Sequence, residues 1–148
     1  MANEERARRL ADNLRTVLEA ADTADREHPA LTESLSAQEI RALRCVGERD
    51  CPIMSAIASA IRLSLSSCTG LIDRLCAKKL VRRDRSTDDR RVVQVGLTDE
   101  GRKLHRAAVE ARVGVARDML AALTPAEQDQ LVSLLGKASE RLKEVDTK

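Results

Sequence analysis

Apolar positions in the first part of the chain recur at helical spacing. Leu10, Leu14, Val17, Leu18 and Ala21 fall on one stripe, which predicts an amphipathic helix over residues near 4–26. His28-Pro29 ends it, because the residue before a proline is pushed out of the α region. A second helix is predicted from Ser36-Ala37-Gln38-Glu39, a capping box in which hydroxyl and carboxylate each satisfy a free backbone N–H. Ile40, Leu43 and Val46 form its apolar face, and Gly47 is expected to stop it. After Cys51-Pro52 a short helix carries Ile57, Ala58 and Ile61. The turn Arg62-Leu63-Ser64 leads into a further helix through Leu65, Cys68, Leu71, Ile72 and Leu75, with Ser64 as its N-cap.

The period then changes. Val81 to Arg85 and Arg91 to Leu97 are β-prone, with Val93, Val95 and Leu97 alternating, and Ser86-Thr87-Asp88-Asp89-Arg90 between them reads as a charged hairpin tip. Thr98-Asp99-Glu100 opens another helix, with two acids where the helix dipole favours them, and it is expected to run to about Ala122. Thr124-Pro125-Ala126-Glu127 opens the last one, with Leu131, Leu134, Leu135 and Leu142 on its apolar side.

A short helix, a tight turn and a second helix make a helix-turn-helix unit, and a basic hairpin directly after it is a wing. The expected fold is therefore mainly α with a small β-hairpin: a winged helix-turn-helix with dimerisation helices at both ends. The corresponding division is 1–35 for the N-terminal helix and linker, 36–98 for the winged unit, and 99–148 for the C-terminal helices. The long outer helices have no role inside so small a module, so their stripes are expected to bury against a second subunit.

Composition supports a helical core. The 148 residues include no Phe, Tyr or Trp, so the interior must be built from Leu, Ile, Val, Ala and Met, which suits helices packed on helices. The N-terminal stretch lacks the apolar centre of a signal peptide, and no segment approaches the roughly 20 apolar residues of a membrane span. A cytoplasmic location, with no membrane partner, is expected. Cys45, Cys51, Cys68 and Cys76 include no Cys-x-x-Cys pair and read as reduced thiols.

Net charge is only +2, so its distribution matters more than its size. From Arg74 to Arg91, eight basic residues stand against three acidic ones, leaving +5 there and −3 elsewhere. The positive charge thus lies on the end of the second helix-turn-helix element and on the hairpin, where a DNA backbone would pass. The helix from Ser64 is the one expected in the major groove. With Ser64 at its N-cap, its first turns carry Leu65, Ser66, Ser67, Thr69 and Gly70, small side chains that permit close approach to DNA, followed by Arg74. With no Arg, Asn or Gln in those turns, specificity is expected to lean on the wing and on DNA shape.

From about Ser36 onward the chain resembles the MarR family of winged-helix regulators. Met54-Ser55-Ala56-Ile57-Ala58-Ser59-Ala60-Ile61 stands where that family has its first helix-turn-helix element. Cys68-Thr69-Gly70-Leu71-Ile72-Asp73-Arg74-Leu75 and Lys79-Leu80-Val81-Arg82-Arg83 are similar to its recognition helix and wing entry. Asp88-Asp89-Arg90-Arg91-Val92-Val93-Gln94-Val95-Gly96-Leu97-Thr98-Asp99-Glu100-Gly101 is similar to its wing signature, and Leu123-Thr124-Pro125-Ala126-Glu127 to the start of its last dimerisation helix. The resemblance implies that Arg91 enters the minor groove while Asp89 helps hold it, with Arg83, Arg85 and Arg90 on the same basic wing. It further implies a homodimer on a near-palindromic double-stranded DNA site, acting mostly as a repressor and released by a small-molecule inducer or by oxidation. Gly70 departs from the family, which often has a polar or basic residue there. The lack of aromatic residues removes stacking from an inducer pocket.

For oxidation the candidate thiols are Cys68 and Cys76, near Arg74, Lys78 and Lys79, whose charge would lower a thiol pKa. The competing expectation is that each is a small buried apolar residue. Only His28 and His105 accompany the cysteines, at no ligand-like spacing, so no metal or cofactor is expected. Neither a Gly-rich phosphate loop nor a paired acid–base motif is present, and an enzyme is not expected. The alternative to a DNA-binding regulator is a helical dimer that binds no DNA and acts as an adaptor or antirepressor, its basic hairpin meeting an acidic partner.

Overall fold

The computed structural model describes residues 2–146. Its elements run α1 (Asn3–Glu27), α2 (Pro29–Thr32), α3 (Ala37–Glu48), α4 (Met54–Ile61), α5 (Leu65–Ala77), β1 (Val81–Arg85), β2 (Val93–Leu97), α6 (Asp99–Ala121) and α7 (Pro125–Asp146). The chain divides into two compact units, Met1–Val113 and Gly114–Lys148, with α6 continuous across the division. This is the mainly helical winged helix-turn-helix that the periodicities predict.

In the first unit, α3, α4 and α5 close on one another and on the hairpin. Leu43, Ile57, Cys68, Leu71, Ile72, Leu75 and Val95 are wholly buried there, so an interior without rings still reaches a continuous core. Ser36 and Glu39 form the expected capping box on α3, and Ser64 caps α5 by accepting the Ser67 N–H at 3.1 Å. Between α4 and α5, Arg62 adopts φ 56°, ψ 49°, and this left-handed residue makes the tight turn.

Gly47 does not stop α3, which continues through it to Glu48. Its missing side chain serves a close approach instead: a Cβ at Gly47 would collide with the ring of His105 from α6. The His105 Nε2 is buried there without a hydrogen-bond partner. His28-Pro29 does end α1, and Pro29 then starts the single turn of α2, which buries Leu31.

The hairpin is antiparallel, pairing Val81 with Leu97, Arg83 with Val95 and Arg85 with Val93. Ile53 adds an isolated bridge to Gln94, and the Val95 N–H donates to the Pro52 carbonyl at 2.9 Å. The middle of β2 is thus anchored to the chain just before α4. On the other side, the Thr98 N–H donates to the Leu80 carbonyl at 3.0 Å and its hydroxyl to the Lys79 carbonyl at 2.7 Å. Gly101 presses against that same Leu80 carbonyl so closely that a Cβ would overlap it.

α1 gives the interior only Ala21 and Asp25. Asp25 meets Arg44 of α3 at 2.7 Å with both side chains more than nine-tenths buried, and Arg112 of α6 lies 3.7 Å from the same carboxylate. The rest of its stripe is outside, with Leu10, Leu14 and Leu18 at 54%, 43% and 60% exposure. In the second unit, Glu127 accepts from the Thr124 N–H and hydroxyl, both at 2.8 Å, and the Gln128 amide closes the end of α6 on the Leu120 and Leu123 carbonyls. Val132, Leu134, Leu135 and Leu142 of α7 are all exposed. No single described helix is long and apolar enough to cross a membrane.

Candidate nucleic-acid interface

α5 and the wing are held in one relative position by charged contacts. Arg83 of β1 reaches Asp73 of α5 at 2.6 Å. At the far end of α5, the Lys78 ammonium donates to the Glu39 carboxylate at 2.8 Å and to the Ser34 carbonyl at 2.6 Å. Arg74 approaches the other Glu39 oxygen at 3.8 Å. Burial would raise the Glu39 carboxyl, but the hydrogen bonds from Lys78 and Ser36 and the Lys78 charge outweigh it and hold the group below the usual carboxylate value. One buried acid therefore caps α3 and fixes the end of α5 to the segment leading from α2. Glu39, Lys78 and Asp73 are not among the site residues expected from sequence. The capping box marked Glu39, but its second role exists only once α5 is packed beside it.

The first turns of α5 point Leu65, Ser66, Ser67 and Thr69 outward, with Gly70 half-buried. Most of their hydroxyls are engaged locally. Ser64 and Ser67 bond to each other at 2.9 Å, and Thr69 donates to the Leu65 carbonyl at 2.9 Å. Ser66 has no hydrogen bond among the described residues.

At the wing tip, the Asp89 carboxylate accepts the Arg91 backbone N–H at 3.0 Å and its Nε at 3.3 Å. These two bonds, the backbone one first, lower the Asp89 pKa. The Arg91 side chain is nonetheless 92% exposed, so it is oriented without being covered. Arg85 and Arg90 flank it, exposed and without an ion pair among the described residues. Arg82 is turned back onto Asp84 at 2.7 Å and the Leu97 carbonyl at 2.9 Å. The structure thus brings Arg85, Asp89, Arg90 and Arg91 together on the tip. It places Ser64, Ser66, Ser67, Thr69 and Gly70 on the start of α5, with Arg74 and Arg83 between the two groups as the links to Glu39 and Asp73.

Both candidate thiols lie in or against the hydrophobic core. Cys68 is wholly buried against Met54, and burial pushes its thiol up rather than down. Cys76 is half-buried against the core, and the cations near it, Arg74 and Lys78, are turned to Glu39. Among the described residues no group of His, Cys, Asp and Glu could hold a metal ion.

A helix-turn-helix with a basic wing on a small helical core defines a winged-helix DNA-binding protein. The MarR family model matches residues 35–93. The HTH-type transcriptional regulator PecS of Dickeya dadantii is 35% identical over 111 residues, covering 73% of this chain and 67% of PecS. The structure of Streptococcus pneumoniae FabT in complex with DNA superposes with a TM-score of 0.73 at 20% identity, covering 97% of this chain and 99% of FabT. Bordetella bronchiseptica BpsR, whose DNA binding is regulated by 6-hydroxynicotinic acid, superposes with a TM-score of 0.63 at 26% identity, over 88% of this chain and 98% of BpsR. The chain belongs to the MarR family of DNA-binding transcriptional regulators.

Proposed function

We propose that this protein is a homodimeric repressor that occupies a near-palindromic operator and is released by a small ligand. The observation that carries the reading is the wing tip, where a fully presented Arg91 is aimed by Asp89 between two further free arginines. A narrow minor groove has enhanced negative potential and draws in such a side chain. Each α5 lies in a major groove, and the two-fold axis sets two α5 helices about one helical turn of DNA apart, roughly 34–36 Å. The dimer forms through the exposed leucine stripe of α1 and the exposed apolar positions of α7, surfaces that a monomer leaves in water. A dimer on its operator excludes polymerase from the same DNA, which makes repression the default outcome.

The ligand enters a cavity of about 610 Å³ lined by Asp22, Asp25, Arg26, Thr32, Leu35, Ala37, Ile40 and Arg41. Its walls contain no aromatic ring, so charge and shape select the ligand rather than stacking. Leu35 and Ala37 flank Ser36, beside the Ser34 carbonyl that holds Lys78, so an occupant favouring one position of this segment biases α5.

The test is fluorescence anisotropy with the DNA upstream of the protein's own gene, at two salt concentrations. Wild type is expected to bind tightly and lose affinity with salt, and Arg91→Ala to weaken binding by about 1–3 kcal/mol without loss of helicity. Wild type that binds neither this fragment nor a pool of genomic fragments overturns the reading in favour of the adaptor.

A further inference from the structure

In the first two turns of α5, the polar atoms that usually read bases are largely spent. The Ser64 and Ser67 hydroxyls hold each other, and the Thr69 hydroxyl is turned back to its own helix backbone. Further along, Asp73 is bound to Arg83 and Arg74 leans on Glu39. Among the described residues the Ser66 hydroxyl has no partner, and beside it the helix presents an apolar side chain. Leu65, its first residue, is 56% exposed, and Thr69, also exposed, stands one turn further on the same face. At Gly70 a Cβ would meet only the Arg74 guanidinium, at 3.9 Å, so the helix surface there is open to a close approach.

Leu65 is also out of place among the exposed apolar residues. Most of the others lie on α1, α6 and α7, and Ile53 and Val93 sit beside each other's strand pairing at 39% and 37% exposure. On α5 the remaining large apolar side chains, Leu71, Ile72 and Leu75, are wholly buried. An exposed leucine on the leading turn therefore faces whatever α5 enters. The major groove edges of the four base pairs carry hydrogen-bonding groups and one apolar feature, the C5-methyl of thymine.

We propose that Leu65 is a specificity-determining residue that selects thymine in each half-site by burying its C5-methyl group. The inference rests on α5 being the helix that enters the major groove. Cytosine lacks the methyl and is disfavoured at the same position, while no hydrogen bond from this part of α5 is required. A recognition helix with few free donors thereby still reads a base directly.

The experiment uses the full-length protein and the operator fragment that it binds, synthesised with thymine or with deoxyuridine at single half-site positions. Uracil keeps every hydrogen-bonding edge and removes only the methyl. For wild type, replacing the contacted thymine is expected to weaken binding about fourfold per methyl lost. Leu65→Ala is expected to bind both DNAs equally, at about the level of wild type on the uracil operator, with unchanged thermal stability because Leu65 is exposed. Wild type that binds thymine and uracil operators equally at every position overturns the inference while leaving the regulator reading intact. Discrimination that persists in Leu65→Ala overturns the assignment to this residue. Failure of wild type to bind any thymine operator instead removes the regulator reading on which the inference rests.

Discussion

The core of the winged unit and the two outer helices are built from the same few side chains, yet they treat them oppositely. In α3, α4 and α5 the leucines and isoleucines of the apolar face are almost all buried, with Leu43, Ile57, Leu71, Ile72 and Leu75 removed from solvent entirely. In α1 and α7 most leucines of the equivalent stripes stay out, from Leu14 at 43% to Leu142 at 66%. A buried leucine stabilises by roughly 1.5–3 kcal/mol relative to an exposed one, so the outer stripes represent stabilisation not realised within one chain. Amphipathic spacing therefore signals that a face is to be covered, and not by what.

Disturbing each region in turn should separate them. Leu71→Ala is expected to destabilise the fold by about 2–5 kcal/mol, read from chemical denaturation. Leu14→Asp and Leu135→Asp should instead leave the winged core intact and move the protein toward monomer in sedimentation, with stability becoming concentration-dependent. If either aspartate variant sediments as wild type does, its stripe lies outside the dimer interface.

Gly101→Ala addresses the junction between wing and α6. The new methyl meets the backbone carbonyl of Leu80, which cannot swing aside as a flexible side chain could. A loss of about 1–3 kcal/mol is expected, as for other overpacked positions. Hydrogen exchange should show it first at Thr98 and Leu80.

The smallest effect concerns the Glu39 clamp and is read as a pH dependence of stability. A carboxyl held below its unfolded value of about 4.3 contributes stability that is complete above that pH and is lost as pH falls through the folded value. Wild type should therefore lose stability on acidification more steeply than Glu39→Gln, whose amide does not titrate in this range. Equal acid slopes for the two proteins would show that Lys78 does not depend on the Glu39 charge.

Much of this architecture is legible before folding because its signals are local. Ser36 and Glu39 cap α3, Ser64 caps α5, and the alternation of Val93, Val95 and Leu97 marks β2, each within a few residues. The wing residues were legible for the same reason, since Asp89 and Arg91 are two positions apart and meet within one turn. Gly47 misled because a glycine is read as a helix stop, whereas here it makes room for His105, 58 positions away. At Cys68 the cations nearby in sequence favour a lower thiol pKa, whereas burial between α4 and α5 raises it, and only the packed fold shows that burial.

The sequence by itself determined the element order, the caps, the basic wing and the apolar faces, because helical and strand periods, turn chemistry and charge act over short separations. The tertiary structure decided what each face meets. Only packing placed Asp25 against Arg44, Lys78 against Glu39 and Leu80 against Gly101, and left Leu65 exposed on a helix whose other large apolar residues are buried. These pairings depend on distances between segments far apart in the chain, which no local pattern encodes.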